Sequence, residues 1–205
     1  MSALPRLVVI TDWRLPREQL LRALEQALAA GPGVALQHRH PEAPLRLFLE
    51  EARLLAALCE RRGNPLFVNG RLDVALLVGA HLHLPAGGLR PADVRPLLPP
   101  GRLLSAAVHD AREAADAVGA DLALVSPVFS PGSKPQDSRP VLGPAGFGAL
   151  RAALPCPAFA LGGITAQTAA ALPDAAGFAV ISGVLGAADP AAAARALLTL
   201  RPEAG

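Results

Sequence analysis

One lysine stands apart from every other positive charge in the chain. Nineteen residues are lysine or arginine, and Lys134 is the single lysine among them. It follows Ser133 in a segment rich in proline and glycine, just past an apolar run. Lysine and arginine exchange at little cost on a solvated surface, but not where a site is shaped for a compact ammonium group. The pattern therefore favours Lys134 as a ligand for phosphate or another anion. The alternative is chance retention in a surface loop.

Two glycine-containing segments follow apolar runs near the end of the chain. The first contains Gly162 and Gly163, and the second contains Ser182 and Gly183 directly after Ile181. Glycine lets backbone N–H groups approach an anion, and the start of a helix adds a partial positive charge. The alternative is that these glycines only permit tight turns. Because both segments carry the pattern, it favours a phosphate site between them.

Polar side chains also end two other apolar runs. Gln37 and Arg39 alternate along the second run, so both should point to the same side of a strand. The guanidinium of Arg39 offers paired donors that suit a phosphate or diphosphate, with an ion pair to Asp12 as the alternative. His109 ends the fifth run and is a candidate donor to a ligand.

Two His-x-His pairs occur in the chain but do not predict a metal site. His38 and His40 should point away from Gln37 or lie in the following loop, and no third ligand is evident for either pair. His81 and His83 lie within one apolar run, where His83 suits an inward-facing position in the core.

Short apolar runs alternate with helical segments along the whole chain. Near-continuous apolar runs are typical of parallel strands that are covered on both faces. The predicted strands are Leu7–Thr11, Val34–Gln37, Leu66–Val68, Ala80–Leu84, Leu103–Val108, Leu122–Val125, Ala158–Leu161 and Phe178–Ile181. The clearest predicted helices are Glu18–Ala29, Leu45–Arg62, Ala111–Val118 and Pro190–Leu200. Eight strand–helix pairs predict an α/β fold, a single-domain (β/α)8 TIM barrel over residues 1–205 with short loops.

Composition excludes several classes of partner. The chain is 52% hydrophobic and 18% charged with a net charge of +2, and it has few aromatic residues, so a nucleic-acid surface is not expected. No apolar run reaches the roughly 18 residues needed to cross a membrane. The N-terminal segment lacks a secretory signal pattern, which predicts a cytoplasmic protein. A homodimer is compatible with the sequence.

The ordered motifs resemble the thiamine phosphate synthase family, whose superfamily includes the thiazole tautomerases. The motifs are Ile10-Thr11-Asp12, Gln37-His38-Arg39, Val68-Asn69-Gly70-Arg71, His83-Leu84, Val108-His109, Pro127-Val128-Phe129 through Ser133-Lys134, Gly162-Gly163-Ile164 and Ile181-Ser182. The resemblance implies a (β/α)8 barrel that uses Mg²⁺ to join two phosphorylated thiamine precursors. Hydroxymethylpyrimidine diphosphate is coupled to hydroxyethylthiazole phosphate, and diphosphate is released.

The same resemblance assigns roles to matching residues. It implies that Gln37, Arg39 and Asn69 hold the pyrimidine and its diphosphate, with His109 beside the ligand. Departure of diphosphate leaves a pyrimidine carbocation, so charge stabilisation and positioning dominate catalysis. The catalytic residues it implies are Lys134, Arg39 and Ser133. The backbone cradle it implies for the thiazole phosphate comprises Gly163, Ile181 and Ser182, and the glycine pattern adds Gly162 and Gly183 as substrate-binding candidates.

The chain departs from the family pattern where magnesium ligands are expected. Gly70 and Gly88 stand where the family has aspartates that bind Mg²⁺, so the family's cofactor is only weakly expected and no metal-binding residue is assigned. Three functions stay open. The first is a synthase, the second is a thiazole phosphate isomerase that uses His109 or His83, and the third is a non-catalytic protein that binds thiazole phosphate or thiamine phosphate. The isomerase branch would also need a substitute for its catalytic histidine, because Pro127 stands at that position.

Replacement of Lys134 tests its assignment as an anion ligand. Lys134→Ala should weaken diphosphate binding or raise the barrier by about 1.5–3 kcal/mol, because a charge-assisted contact is lost. Lys134→Arg should not restore it, since the planar guanidinium misplaces the charge. Calorimetry and turnover assays measure both effects. Equal affinity and turnover in the wild type and both variants would show that Lys134 is an accident of composition.

Overall fold

The architecture is a closed barrel of eight parallel strands. The computed structural model describes residues 3–130 and 140–201. Each strand pairs with its sequence neighbours, and β1 also pairs with β8. The strands are β1 Leu7–Ile10, β2 Val34–His38, β3 Leu66–Asn69, β4 His81–Leu84, β5 Leu104–Val108, β6 Leu122–Val125, β7 Ala158–Leu161 and β8 Gly177–Val180. The predicted (β/α)8 TIM barrel is confirmed, and each strand lies within one residue of its predicted bounds.

Helices surround the barrel in the described part of the chain. They are α1 Arg17–Leu28, α2 Leu45–Arg62, α3 Leu72–Val78, α4 Pro91–Val94, α5 Ala111–Asp116, α6 Gly143–Ala153, α7 Ala166–Ala169, α8 Ser182–Leu185 and α9 Pro190–Thr199, with a 3₁₀ turn at Arg95–Leu97. The side chain of Asp110 accepts a hydrogen bond from the Glu113 amide at 2.8 Å. Asp189 does the same for the Ala192 amide at 2.9 Å, so both residues cap their helices as their side-chain chemistry predicts. Among the described residues, no helix is long and apolar enough to cross a bilayer.

The alternation of side chains along each strand divides the apolar core into two parts. Outward residues such as Leu36 and Val68 pack against the helices, and inward residues such as Ala35 and Phe67 fill the barrel. Space inside is tight: a Cβ on Gly177 would lie 2.3 Å from the ring of Phe159 on the neighbouring strand. The interior is thus packed rather than open, and ligand chemistry is confined to the end where the strands finish.

Candidate functional site

The carboxyl ends of the strands form the barrel mouth, and β2 and β3 place two amide side chains there. Gln37 is 2% exposed and points into the barrel, where its Oε1 accepts a hydrogen bond from Asn69 Nδ2 at 3.3 Å. The Nε2 of Gln37 is buried and has no hydrogen-bond partner among the described residues. An unsatisfied buried donor costs about 1–3 kcal/mol, so this atom marks a position where a ligand acceptor would be stabilised.

Arg39 provides a cation at the same end of β2. Its backbone is fixed to β1, because the Arg39 amide donates to Thr11 Oγ1 at 2.9 Å and the Thr11 hydroxyl donates to the Arg39 carbonyl at 3.1 Å. Asp12 is instead paired with Arg14, whose Nε and Nη2 lie 2.8 and 2.6 Å from its carboxylate oxygens. The Arg39 guanidinium makes no ion pair within residues 3–130 and 140–201, so the alternative of a structural pair with Asp12 is not adopted. Its role as an anion ligand stays a prediction.

His83 is an inward-facing core histidine, as its position in the apolar run suggested. It is 4% exposed, and its Nδ1 lies 2.7 Å from Ser105 Oγ on β5. Burial, followed by the charges of Arg39 and His109, lowers the pKa of His83 to about 3. His83 is therefore neutral at physiological pH.

His109 is held in one orientation by the first turn of α5. Its Nδ1 and its backbone amide both lie 2.7 Å from Oε2 of Glu113. Because Nδ1 is bonded to this carboxylate, a contact from His109 to a ligand would use Nε2, and that contact stays a prediction.

The glycines after β7 and β8 have a steric reason to be there. Gly162 and Gly163 have φ angles of +97° and +62°, and a Cβ on Gly163 would lie 2.7 Å from the Ser130 carbonyl oxygen. A Cβ on Gly183 would lie 2.2 Å from the Ile164 carbonyl oxygen. The loop after β7 thus packs closely against the loop after β6 on one side and against the start of α8 on the other. Phosphate binding by these loops stays a prediction.

The structure places the remaining predicted residues as follows. Ile181 lines a cavity of about 240 Å³ together with Arg39, which joins the β8 end to the β2 end of the mouth. Ser182 begins α8. Ser133 and Lys134 lie outside the described residues.

The described residues at the mouth do not fit a protein-bound magnesium ion. Gly70 and Gly88 supply no carboxylate, and no group of three histidine, cysteine, aspartate or glutamate residues in the described ranges could hold a metal. Asp73, one turn from Gly70, is paired with Arg71 at 2.6 Å. The hydrogen bond from Arg71 lowers the pKa of Asp73, as expected for a carboxylate already neutralised by a cation. Mg²⁺ prefers several oxygen ligands in octahedral geometry, and the described residues at the mouth offer no such set.

A cluster of aromatic and ionisable residues on the outer side of β2 was missed at the sequence level. The indole of Trp13 stacks on His40 with ring centroids 5.6 Å apart, and its Nε1 donates to His38 Nδ1 at 3.3 Å. His40 Nδ1 lies 2.9 Å from the buried carboxylate of Glu51 on α2. His38 Nε2 lies 3.1 Å from the Phe48 carbonyl oxygen. The available signal was the position of the single tryptophan directly after Asp12 at the end of β1.

Comparison with known proteins agrees with this geometry. The family model for thiamine monophosphate synthase matches residues 7–184. The chain belongs to the thiamine monophosphate synthase family. It is 39% identical to the thiamine-phosphate synthase of Chloroflexus aurantiacus over 200 residues, which covers 95% of this chain and 92% of that protein. It is also 39% identical to the thiamine-phosphate synthase of Methanoculleus marisnigri over 196 residues, covering 93% of this chain and 92% of that protein.

A solved structure supports the same assignment. The thiamine phosphate pyrophosphorylase from Pyrococcus furiosus superposes with a TM-score of 0.81 at 32% identity, covering 95% of this chain and 94% of that one. The family resemblance seen in the motifs is thus confirmed, and with it a role in thiamine biosynthesis.

Because Asp12 and Asp73 are paired with arginines and positions 70 and 88 are glycines, we expect the free protein to bind Mg²⁺ weakly or not at all. Calorimetric titration of the purified protein with MgCl₂ should show no stoichiometric site. The double variant Gly70→Asp/Gly88→Asp should gain one. A Cβ at position 70 meets only ordinary contacts at 3.6 Å, and aspartate tolerates its φ of +70° better than most residues. A Cβ at position 88 would lie 3.1 Å from the Pro85 carbonyl oxygen, so this loop must shift by a few tenths of an ångström. Tight stoichiometric Mg²⁺ binding by the wild type in the absence of diphosphate would contradict this account.

Proposed function

We propose that this chain couples hydroxymethylpyrimidine diphosphate to hydroxyethylthiazole phosphate, giving thiamine phosphate and diphosphate. The observation that carries the proposal is the pair formed by Gln37 and Arg39 at the mouth. One offers a buried donor without a partner among the described residues, and the other offers a cation without an ion pair there. Together they suit a ligand with a hydrogen-bond acceptor next to an anionic group.

The chemistry follows from charge. The bond between the pyrimidine methylene carbon and the diphosphate oxygen breaks, and its electron pair leaves with the diphosphate. The thiazole nitrogen then donates its lone pair to the methylene carbon and forms the new C–N bond. In this proposal Arg39 and Lys134 stabilise the departing diphosphate, and Ser133 donates a hydrogen bond to it. No step is assigned to magnesium.

The remaining residues position the two substrates. Gln37 and Asn69 bind the pyrimidine side, with the Nε2 of His109 as a further donor. The backbone at Gly162, Gly163, Ile181, Ser182 and Gly183 cradles the thiazole phosphate. The cavity shared by Arg39 and Ile181 supports this arrangement, because it brings the two proposed binding regions next to each other.

A non-catalytic binding protein is the second candidate. The observation in its favour is the loss of carboxylates at Gly70 and Gly88, which leaves ligand-binding groups at the mouth without the family's metal ligands. Such a protein would bind thiamine phosphate without forming it. The isomerase alternative gains no such support. His83 is bonded to Ser105 and has a pKa of about 3, and His109 is bonded to Glu113.

Turnover of both substrates together tests the proposal. The wild type should form thiamine phosphate and diphosphate in equal amounts. Arg39→Ala should lower kcat/KM by roughly 10- to 100-fold, the kinetic equivalent of losing a charge-assisted hydrogen bond. Arg46→Ala is the matched control, since Arg46 is exposed on α2 and its loss should change kcat/KM by no more than about twofold.

The outcomes separate the two candidates. Tight binding of thiamine phosphate without turnover, with or without added Mg²⁺, would favour the binding protein. Equal effects of the Arg39→Ala and Arg46→Ala substitutions on turnover would remove Arg39 from the site.

A further inference from the structure

Trp13 lies at the barrel mouth but has no part in the function proposed above. It is the only tryptophan of a chain that contains no tyrosine, and it follows Asp12 in the loop after β1. The indole is half-buried and lines the same cavity of about 240 Å³ as Arg39 and Ile181. It therefore borders both proposed binding regions.

The indole is held in place from the outer side of β2. His40 covers one face in a near-parallel stack, with an interplanar angle of 9°. The edge is fixed by the hydrogen bond from Nε1 to His38 Nδ1, and the other ring nitrogen of His38 faces the Phe48 carbonyl oxygen at 3.1 Å. Burial lowers the pKa of His38 to about 4, so this ring stays neutral and its Nδ1 can accept the indole proton.

The stack is in turn anchored to α2. The carboxylate of Glu51, which is 3% exposed, lies 2.9 Å from His40 Nδ1. An indole that is held at one edge and on one face loses little further conformational freedom when a ligand binds. Such a rigid aromatic surface is therefore effective for recognition. Aromatic rings attract each other in offset or edge-on arrangements, and heteroaromatic ligands do so as well.

We infer that Trp13 is a specificity-determining residue, whose indole packs against the heteroaromatic ring of the phosphorylated substrate while Arg39 binds its anionic group. The inference rests on the proposed function, because it assigns the cavity between Arg39 and Ile181 to that substrate. It explains why the only tryptophan of an aromatic-poor chain lies beside an arginine without an ion pair among the described residues.

Fluorescence of the wild type gives the first test. Excitation at the red edge of the indole band reports on Trp13 alone, because the chain has one tryptophan and no tyrosine. Hydroxymethylpyrimidine diphosphate, hydroxyethylthiazole phosphate and thiamine phosphate are added separately, with inorganic diphosphate as the ring-free probe. At least one ring-containing ligand should change the emission of Trp13 at saturation by more than inorganic diphosphate does. An equal response to inorganic diphosphate and to every ring-containing ligand would overturn the inference.

Affinities of two variants give the second test. Trp13→Ala should weaken binding of the responding ligand by about tenfold and leave the affinity for inorganic diphosphate unchanged. Trp13→Phe, which keeps an aromatic ring, should recover most of that loss. An equal loss for inorganic diphosphate would assign the effect to the fold of the mouth, and an unchanged affinity for the ring-containing ligand would remove Trp13 from the site. Both results overturn the inference and leave the proposed function standing, whereas a wild type that binds none of the ring-containing ligands overturns both.

Discussion

The hydrogen bond between Gln37 and Asn69 lies at the mouth of a closed barrel, where Gln37 is buried from bulk water and Asn69 is half-buried. Barrel closure turns every second side chain of each strand inward, so polar residues near the strand ends must find partners in a small space. Gln37 satisfies its oxygen through Asn69 but leaves its nitrogen without a partner among the described residues. The same closure buries His83 against Ser105 and keeps its ring neutral. The site is thus a polar cap on an otherwise apolar interior.

The balance of charge at the mouth follows from which ion pairs form. The carboxylate of Asp12 is neutralised by Arg14, two residues later in the chain. That of Asp73 is neutralised by Arg71, two residues earlier. These pairs are local and bidentate, so they form without any contribution from distant elements. Arg39 makes no ion pair within the described residues, whereas the carboxylates of Asp12 and Asp73 are each paired with an arginine.

Much of the fold could be predicted because its signals are local. Both faces of every strand are covered, so each strand is a nearly continuous apolar run, and the helix starts at Asp110 and Asp189 carry side-chain caps. Gln37, Asn69 and His109 could be placed at the mouth because parallel strands in a barrel all end on the same side.

Contacts that depend on geometry across the chain could not be predicted. Both Arg14 and Arg39 could pair with Asp12, and only the backbone path after β1 decides between them. Glu51 resembles the other acidic residues of α2 in the sequence, and its burial follows from the outward direction of His38 and His40. The lack of space for a side chain at Gly163 likewise arises from the loop after β6, which is distant in sequence.

The affinity of the Gln37→Glu variant for thiamine phosphate tests directly whether the Gln37 amide donates to the ligand. Glutamate keeps an oxygen that can accept from Asn69 Nδ2, but it removes the donating Nε2. Calorimetry should show an affinity at least about tenfold below that of the wild type, because a hydrogen bond to the ligand is lost and a carboxylate faces it instead. Equal affinities of the two proteins would contradict the account, since the buried donor at the barrel mouth would then have no part in binding.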